Sequence, residues 1–455
     1  MINLNLQASP EAACRRQTPV ADASFKEPAY WLPWLVAGLV AWATAAPAQV
    51  ALRDAVANDT AATARSLQQQ SQDYTYKNGD FRLLVTPALN LQWIDNPTLS
   101  SSNVESDFVI QPTVGVLTSY PLSEQNLLQL NFTAGYNAYV REQYLDSFFL
   151  QSGSGLSFDI HLKDILINLH DQFSYEQDSA QNSALANTGN YGIFQNSLGL
   201  SVSEDLTKIN LSAGYDHQNV LFSGSQFSGA DHATENFFCR GGYVFNSRLT
   251  AGLEASAAFT TYDQTGSTNG LSYGLNNNQA YSVGVYATFQ PDEFLQIQPR
   301  VGYIIMQFDQ TSQSLSTSDL NSWYADLNLT HAITKAISYS LDIGRSVSGG
   351  VQSDVVQTYY VTPGATWNFR KDWTVQVSLS YNYGQQGTGS TLLAPNSNLV
   401  SEDFTWYTGT LGFSHAITSR LNVSFDYRFT ERSSTAQLRG YTQNELDLQL
   451  TYHPK

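Results

Sequence analysis

A chain of 455 residues is long enough for several ordinary domains or for one very large sheet. Only 13% of it is charged, against roughly 25% in soluble domains, while 13% is aromatic and the 26 tyrosines outnumber all 22 lysines and arginines; that balance excludes disorder and favours a protein needing interfacial rings more than a charged exterior. The formal net charge of −17 excludes a nucleic-acid binder, which needs basic stripes, and two cysteines (Cys14 and Cys239) exclude a disulfide framework or a Cys-rich metal centre.

Residues 26–48, "KEPAYWLPWLVAGLVAWATAAPA", place Lys26 before an apolar stretch from Tyr30 to Ala46 and close on Ala46-Pro47-Ala48. That order of basic, apolar and small residues predicts a secretory signal cleaved after Ala48, so residues 1–48 are expected to be a cleaved signal peptide with an N-terminal extension. Acidic and basic groups balance within it, and the mature chain keeps the whole charge imbalance. Residues 49–80 are rich in Ala and Gln, do not alternate, and read as a periplasmic lead segment, with entry into a lumen left open.

From residue 81 the pattern changes. In "LLQLNFTAGYNAYV" (127–140) Leu128, Leu130, Phe132, Ala134 and Tyr136 share one face, and Gln129, Asn131, Thr133 and Asn137 the other. "WTVQVSLSYNY" (373–383) and "SRLNVSFDYRFT" (419–430) alternate in the same way, as successive side chains of a strand must when its two faces meet different surroundings. Each segment is near the ten residues of a tilted membrane strand. Tight turns such as "HLKD" (161–164), "NSR" (246–248), "PDE" (291–293) and "RKD" (370–372) recur once per pair of strands, with longer polar loops between them. "THAITKAISYSLDI" (330–343) and "SHAITSRLNVSFDY" (414–427) are near copies, the mark of a two-strand repeat. Counting the first strand at 81–94 and the last at 444–452, the expectation is an all-β, transmembrane, antiparallel up-and-down barrel of about 18 strands over residues 81–455. Short turns face the periplasm and longer loops the exterior.

Alternation then assigns the faces. Arg82, Arg240, Glu254, Arg300, Asp326, Asp342, Arg370, Asp426, Arg428, Glu445 and Asp447 fall on the water side as candidate pore-lining residues, where mixed charges create a transverse field or simply pair with one another. Trp93, Trp323, Trp367, Trp373 and Trp406 lie at strand ends, as two interfacial girdles require. Asp171 falls on the lipid side, a costly place for a carboxylate, and Cys239 sits there with Phe237, Tyr243 and Phe245. No outer loop exceeds about twenty residues, so no long infolded constriction loop is expected. No HExxH is present, and Asp–His neighbours such as "GYDHQ" (214–218) point to opposite faces; no catalytic residue, cofactor or metal is expected.

The "L-x-h-x-x-x-Y" pattern after the tight turns, as in "INLSAGYDH" and "VQVSLSYNYG", is similar to that of the β-barrel porin family often found with surface-polysaccharide production. The resemblance implies a Gram-negative outer-membrane location, lipid and the barrel-insertion machinery as partners, and a channel or export-related role. The leading expectation is a porin-like channel for passive passage of small polar solutes. A non-catalytic component of exopolysaccharide export or envelope assembly, contacting export partners through its loops, is the alternative, and an outer-membrane lipid hydrolase the third reading.

Overall fold

In the computed structural model the alternating stretches form eighteen long antiparallel strands. The described residues are 74–454, without 124, 178–181, 187–191, 224–228, 264–265, 269–270, 274, 310–317, 352 and 388–400. The expected signal peptide, and the lead segment as far as residue 73, lie outside them. The strands are β1 Phe81–Ile94, β2 Asp107–Pro121, β3 Leu127–Tyr139, β4 Ser147–Leu162, β5 Ile165–Glu176, β6 Ile193–Asp205, β7 Ile209–Phe222, β8 His232–Asn246, β9 Leu249–Tyr262, β10 Asn278–Phe289, β11 Leu295–Phe308, β12 Leu320–Thr334, β13 Ile337–Ser348, β14 Val356–Arg370, β15 Trp373–Gly387, β16 Ser401–Ala416, β17 Leu421–Ser434 and β18 Tyr441–Tyr452. Each pairs with its sequence neighbour, and β1 pairs with β18 from Ala88↔Thr451 to Ile94↔Glu445, so the sheet closes on itself. Closure removes the free edges that a flat sheet of this size would expose.

The seam is the shortest ladder, because β18 stops at Tyr452 while β1 runs down to Phe81. The chain covers part of the remaining edge with itself. Tyr76–Asn78 pair with Phe81–Leu83 across a turn in which Gly79 has φ +59°, a conformation glycine adopts without steric cost. Pro87, which has no N–H to donate, stands just below the last β1–β18 pair, where no ladder hydrogen bond is lost.

The two faces separate cleanly. Leu89, Leu91, Phe108, Leu198, Leu253, Val283, Val301, Leu379 and Phe425 are exposed on the outside, which in this barrel is the lipid face. Between them, inward, lie buried polar groups such as Gln92, Ser157, Asn168 and Glu254. Trp323, Trp367 and Trp373 stand on the outer surface, with Trp367, Phe369 and Trp373 in mutual contact near the turn at 371–372. Trp93 shares the outward parity of Leu89 and Leu91 and lies opposite the exposed Phe108. Trp406 departs from the expected girdle. It shares the inward parity of Phe404, is only 7% exposed, and leaves the outer face to Tyr407, its strand neighbour, which is 44% exposed. Both residues are aromatic, so composition alone could not say which one faces lipid.

Asp171 does lie on the outer face, and a hydrogen-bonded row accounts for it. Asn196 Nδ2 donates to its carboxylate at 2.6 Å, and Asn196 is directly opposite Asn219 on β7. Asn219 Nδ2 donates to His217 Nε2 at 3.0 Å, leaving Nδ1–H to donate to Glu235 at 2.8 Å, where Tyr215 also donates its hydroxyl. Grouping the polar side chains of β5–β8 so that each serves another removes much of the cost of placing any one of them there.

Inside the same strands a second chain is fully buried. His170 bonds through Nε2 to Asp216 and through Nδ1 to Asn168, each at 2.8 Å, and Asn168 donates on to Asp159 at 2.7 Å. Gly199 is opposite both His170 and Asp216, and a Cβ there would overlap the imidazole and the carboxylate. Gly199→Ala is therefore expected to break this bond and destabilise the barrel by about 1–3 kcal/mol. The readout is a lower temperature at which the folded species is lost on a heat-modifiability gel; an unchanged midpoint would contradict the role given to the close approach.

Candidate functional site

The inward faces of eighteen strands enclose the lumen, and its charged residues gather on two walls. On one wall Glu254 (β9) is buried between Arg240 (β8), at 2.8 Å, and Arg300 (β11), at 3.0 Å, and accepts a further bond from the Tyr324 hydroxyl at 3.1 Å. Arg240 also lies over the Tyr286 ring, 4.3 Å from its centroid. Asp326 (β12) is the direct cross-strand partner of Arg300, so this wall sets two guanidiniums beside two carboxylates. On the opposite wall, half a barrel away, Asp426 (β17) and Asp447 (β18) are direct cross-strand partners, and Asn90 Nδ2 donates to Asp447 at 2.7 Å. Arg428 pairs with Glu445 on that wall, and Gln92 Nε2 donates to the same carboxylate. Arg240, Glu254, Arg300, Asp342, Asp426 and Asp447 all lie nearer the periplasmic than the extracellular ends of their strands, which gives one charged belt.

Asp326, opposite Arg300, also accepts the Tyr360 hydroxyl at 2.5 Å, and Asp342 is opposite Thr362 on the inward face of β13. Arg82 and Arg370 have inward parity at the periplasmic rim, where Arg370 is exposed beside the tight turn. Sequence reasoning missed Arg345, which is buried against the rings of Trp323 and Tyr359, 4.6 and 5.4 Å from their centroids.

The larger surprise is at the extracellular mouth, where short loop segments turn inward. Asn182–Ala186, between β5 and β6, reaches across the opening to β15–β17. Leu185 is wholly buried against Val220, Phe222, Tyr262 and Leu275; Ala184 meets Val356 and Phe404, and Ala186 meets Leu99 and Tyr441. Its backbone carbonyls are held by a buried ionic cluster. Arg432 Nε donates to Ser183 O at 2.8 Å; Arg439 Nη2 and Gln386 Nε2 donate to Ala184 O at 2.9 and 3.0 Å. Glu402 pairs with both guanidiniums, at 2.8 and 2.9 Å. A second inward segment, between β13 and β14, is fixed where Asp354 accepts the backbone and side-chain N–H of Asn276, each at 2.8 Å. The expectation concerned a long infolded loop, and short segments at the mouth fall outside it. Length was the wrong criterion, because several short segments meet in the middle and satisfy one another's backbone groups.

Between these segments and the wall of β6–β11 lies a cavity of about 70 Å³, lined in part by Gln195, Gln218, His232, Tyr262, Asn278 and Met306.

Sequence comparison now adds a family to this geometry. The family model described as "Putative beta-barrel porin 2" matches residues 74–453, almost the whole barrel. The chain belongs to that family. It is a porin-like barrel of the Gram-negative outer membrane, with a channel architecture suited to small solutes. No curated protein matches the sequence. Among solved structures the porin is similar to the outer-membrane protein OpdK of Pseudomonas aeruginosa, at 10% identity and a TM-score of 0.45, covering 82% of this chain and 99% of that one. OccK2 (OpdF) of the same organism, solved in complex with glucuronate, gives 9% identity and 0.45 over 82% and 98% of the two chains. OccAB3 of Acinetobacter baumannii gives 9% and 0.44 over 82% and 99%. The assignment rests on the family match and not on these distant likenesses.

Proposed function

We propose that this porin passes small polar solutes passively, through a charged belt and then a mouth narrowed by the 182–186 segment. The observation that carries the reading is the inward face itself. Among the described residues it is polar and carries paired charges, the lining that a water-filled passage requires in a barrel of this width. The Glu254 wall, where two guanidiniums stand beside two carboxylates, and the anionic Asp426–Asp447 wall impose a transverse field on whatever crosses between them.

Planar-bilayer recording tests this. Discrete current steps are expected from purified protein, and a barrel that inserts yet never conducts would count decisively against permeation. Asp426→Asn with Asp447→Asn should move the reversal potential in a salt gradient away from cation preference. Because two carboxylates directly opposite each other repel, the same pair of changes should raise rather than lower heat resistance. An unmoved reversal potential would remove this wall from the selectivity argument.

A further inference from the structure

The near copies "THAITKAISYSLDI" (330–343) and "SHAITSRLNVSFDY" (414–427) build one arrangement twice on the periplasmic rim. Between β12 and β13, Thr334 Oγ1 accepts the N–H groups of Ala336 and Ile337 at 3.2 and 3.0 Å and fixes the turn that carries Lys335. His331 stands edge-on to Tyr339, with centroids 5.2 Å apart. Between β16 and β17, Thr418 Oγ1 accepts the N–H groups of Arg420 and Leu421 at 3.1 and 3.0 Å, and His415 stacks on Trp373 at 4.1 Å. His415 Nδ1–H also donates to Asp372 O at 3.0 Å, which ties this turn to the one between β14 and β15. There the rings of Trp367, Phe369 and Trp373 complete an aromatic platform on the outer face. Three neighbouring turns thus form one sector. Lys335, Arg370, Lys371 and Arg420 are exposed at its edge, and Asp372 is the one carboxylate in the three turns. The rim is not basic throughout, since the turn between β10 and β11 carries Asp292 and Glu293 and no cation. Toward the membrane centre, Val377, Leu379, Leu411 and Phe413 are exposed on β15 and β16 as an apolar wall.

We propose that this sector binds anionic phospholipids of the periplasmic leaflet, with the phosphodiester against Arg420 and Lys371 and the acyl chains along β15 and β16. The aromatic platform fixes the depth, because amphipathic rings settle at the headgroup level. Cations held in that plane attract a headgroup of net negative charge. A zwitterionic head brings its own ammonium to the same place, so it gains less. Free phosphate offers the same anionic group without chains, and an acidic peptide offers charge without an apolar half; only a lipid covers the cations and the apolar wall together.

The experiment uses full-length porin reconstituted in phosphatidylcholine bilayers with a rising fraction of phosphatidylglycerol. One lipid or the other carries bromine on its chains, and quenching of tryptophan fluorescence is recorded; Trp367 and Trp373 lie on the sector and report locally. Brominated phosphatidylglycerol is expected to quench with a relative affinity about five-fold above that of brominated phosphatidylcholine, the effect of a single interfacial cation. Lys371→Gln with Arg420→Gln should bring the two lipids to near equality. Lys163→Gln with Lys208→Gln removes the same charge from exposed turns elsewhere on the rim and should leave the ratio unchanged. Heat-modifiability gels verify that each variant folds. Equal quenching by the two lipids in the parent overturns the proposal, as does an unchanged ratio in the folded Lys371→Gln, Arg420→Gln barrel. An equal loss in the Lys163→Gln, Lys208→Gln barrel overturns it too, because net charge alone would then account for the preference. Excess inorganic phosphate should not alter the ratio; its abolition would assign the site to the free anion and overturn the lipid. The readout needs no current, so a barrel that never conducts yet keeps the preference leaves this inference standing while permeation fails.

Discussion

Arg432→Ala is expected to raise single-channel conductance several-fold and to lower the thermal stability of the folded barrel. Arg432 is completely buried, and its guanidinium does four things at once. It holds Ser183 O, pairs with Glu402, donates to Arg439 O at 2.6 Å and lies over the Phe404 ring at 4.7 Å. Truncation removes the bond to Ser183 O, leaves Arg439 and Gln386 on Ala184 O, and leaves Glu402 with Arg439 as its only guanidinium partner among the described residues. Breaking a buried ionic cluster in this way costs about 3–5 kcal/mol, as much as or more than the buried side chain of Leu185 contributes to holding the segment. The segment should then leave the mouth while the strands remain paired, because the barrel ladders do not depend on it. Arg432→Lys keeps the charge but loses the planar fork that reaches Ser183 O and Glu402 together, and an intermediate conductance should follow. Single-channel recording with a heat-modifiability gel separates the two effects. If a folded Arg432→Ala barrel conducts like the parent, the segment is not the narrowing element.

How much of this was legible beforehand follows from what sets each feature. The strands were legible because alternation is imposed by a lipid face and a water face, and each strand feels both along its whole length. The inward side of the belt residues followed from the same parity. The mouth was not legible. In "DSAQNSALANTGN" (178–190) the single buried leucine, Leu185, resembles any surface-loop apolar residue, and its partners Val220, Tyr262 and Leu275 are scattered over distant strands. Arg432 and Arg439 occur in "ERSSTAQLRG" (431–440), a stretch that reads as an ordinary polar loop, and Glu402 precedes them by some thirty residues in the chain. Only closure of the barrel brings them to one point. The one available signal was the isolated Leu185, in a loop otherwise made of polar and small residues.

Glu254→Gln should have the largest effect on selectivity, and its sign differs in one respect from that of the acidic wall. Glu254 is 3% exposed and is the shared carboxylate of Arg240 and Arg300. The amide that replaces it carries no charge, so two guanidiniums are left with Asp326, opposite Arg300, and the wall becomes cationic. The reversal potential should move toward anions by more than the Asp426→Asn change alone produces, because the lost carboxylate is the one that masks two positive groups. Stability should fall, by about 1–3 kcal/mol, since the two half-buried guanidiniums lose the carboxylate they share. Asp426→Asn relieves a like-charge pair, so it should shift selectivity the same way while raising stability. The pair of variants therefore separates two accounts of the belt. If the charges act only as mutual fillers, stability will change in both variants and the reversal potential in neither. If they form a transverse field, both reversal potentials will move toward anions while the two stabilities move in opposite directions.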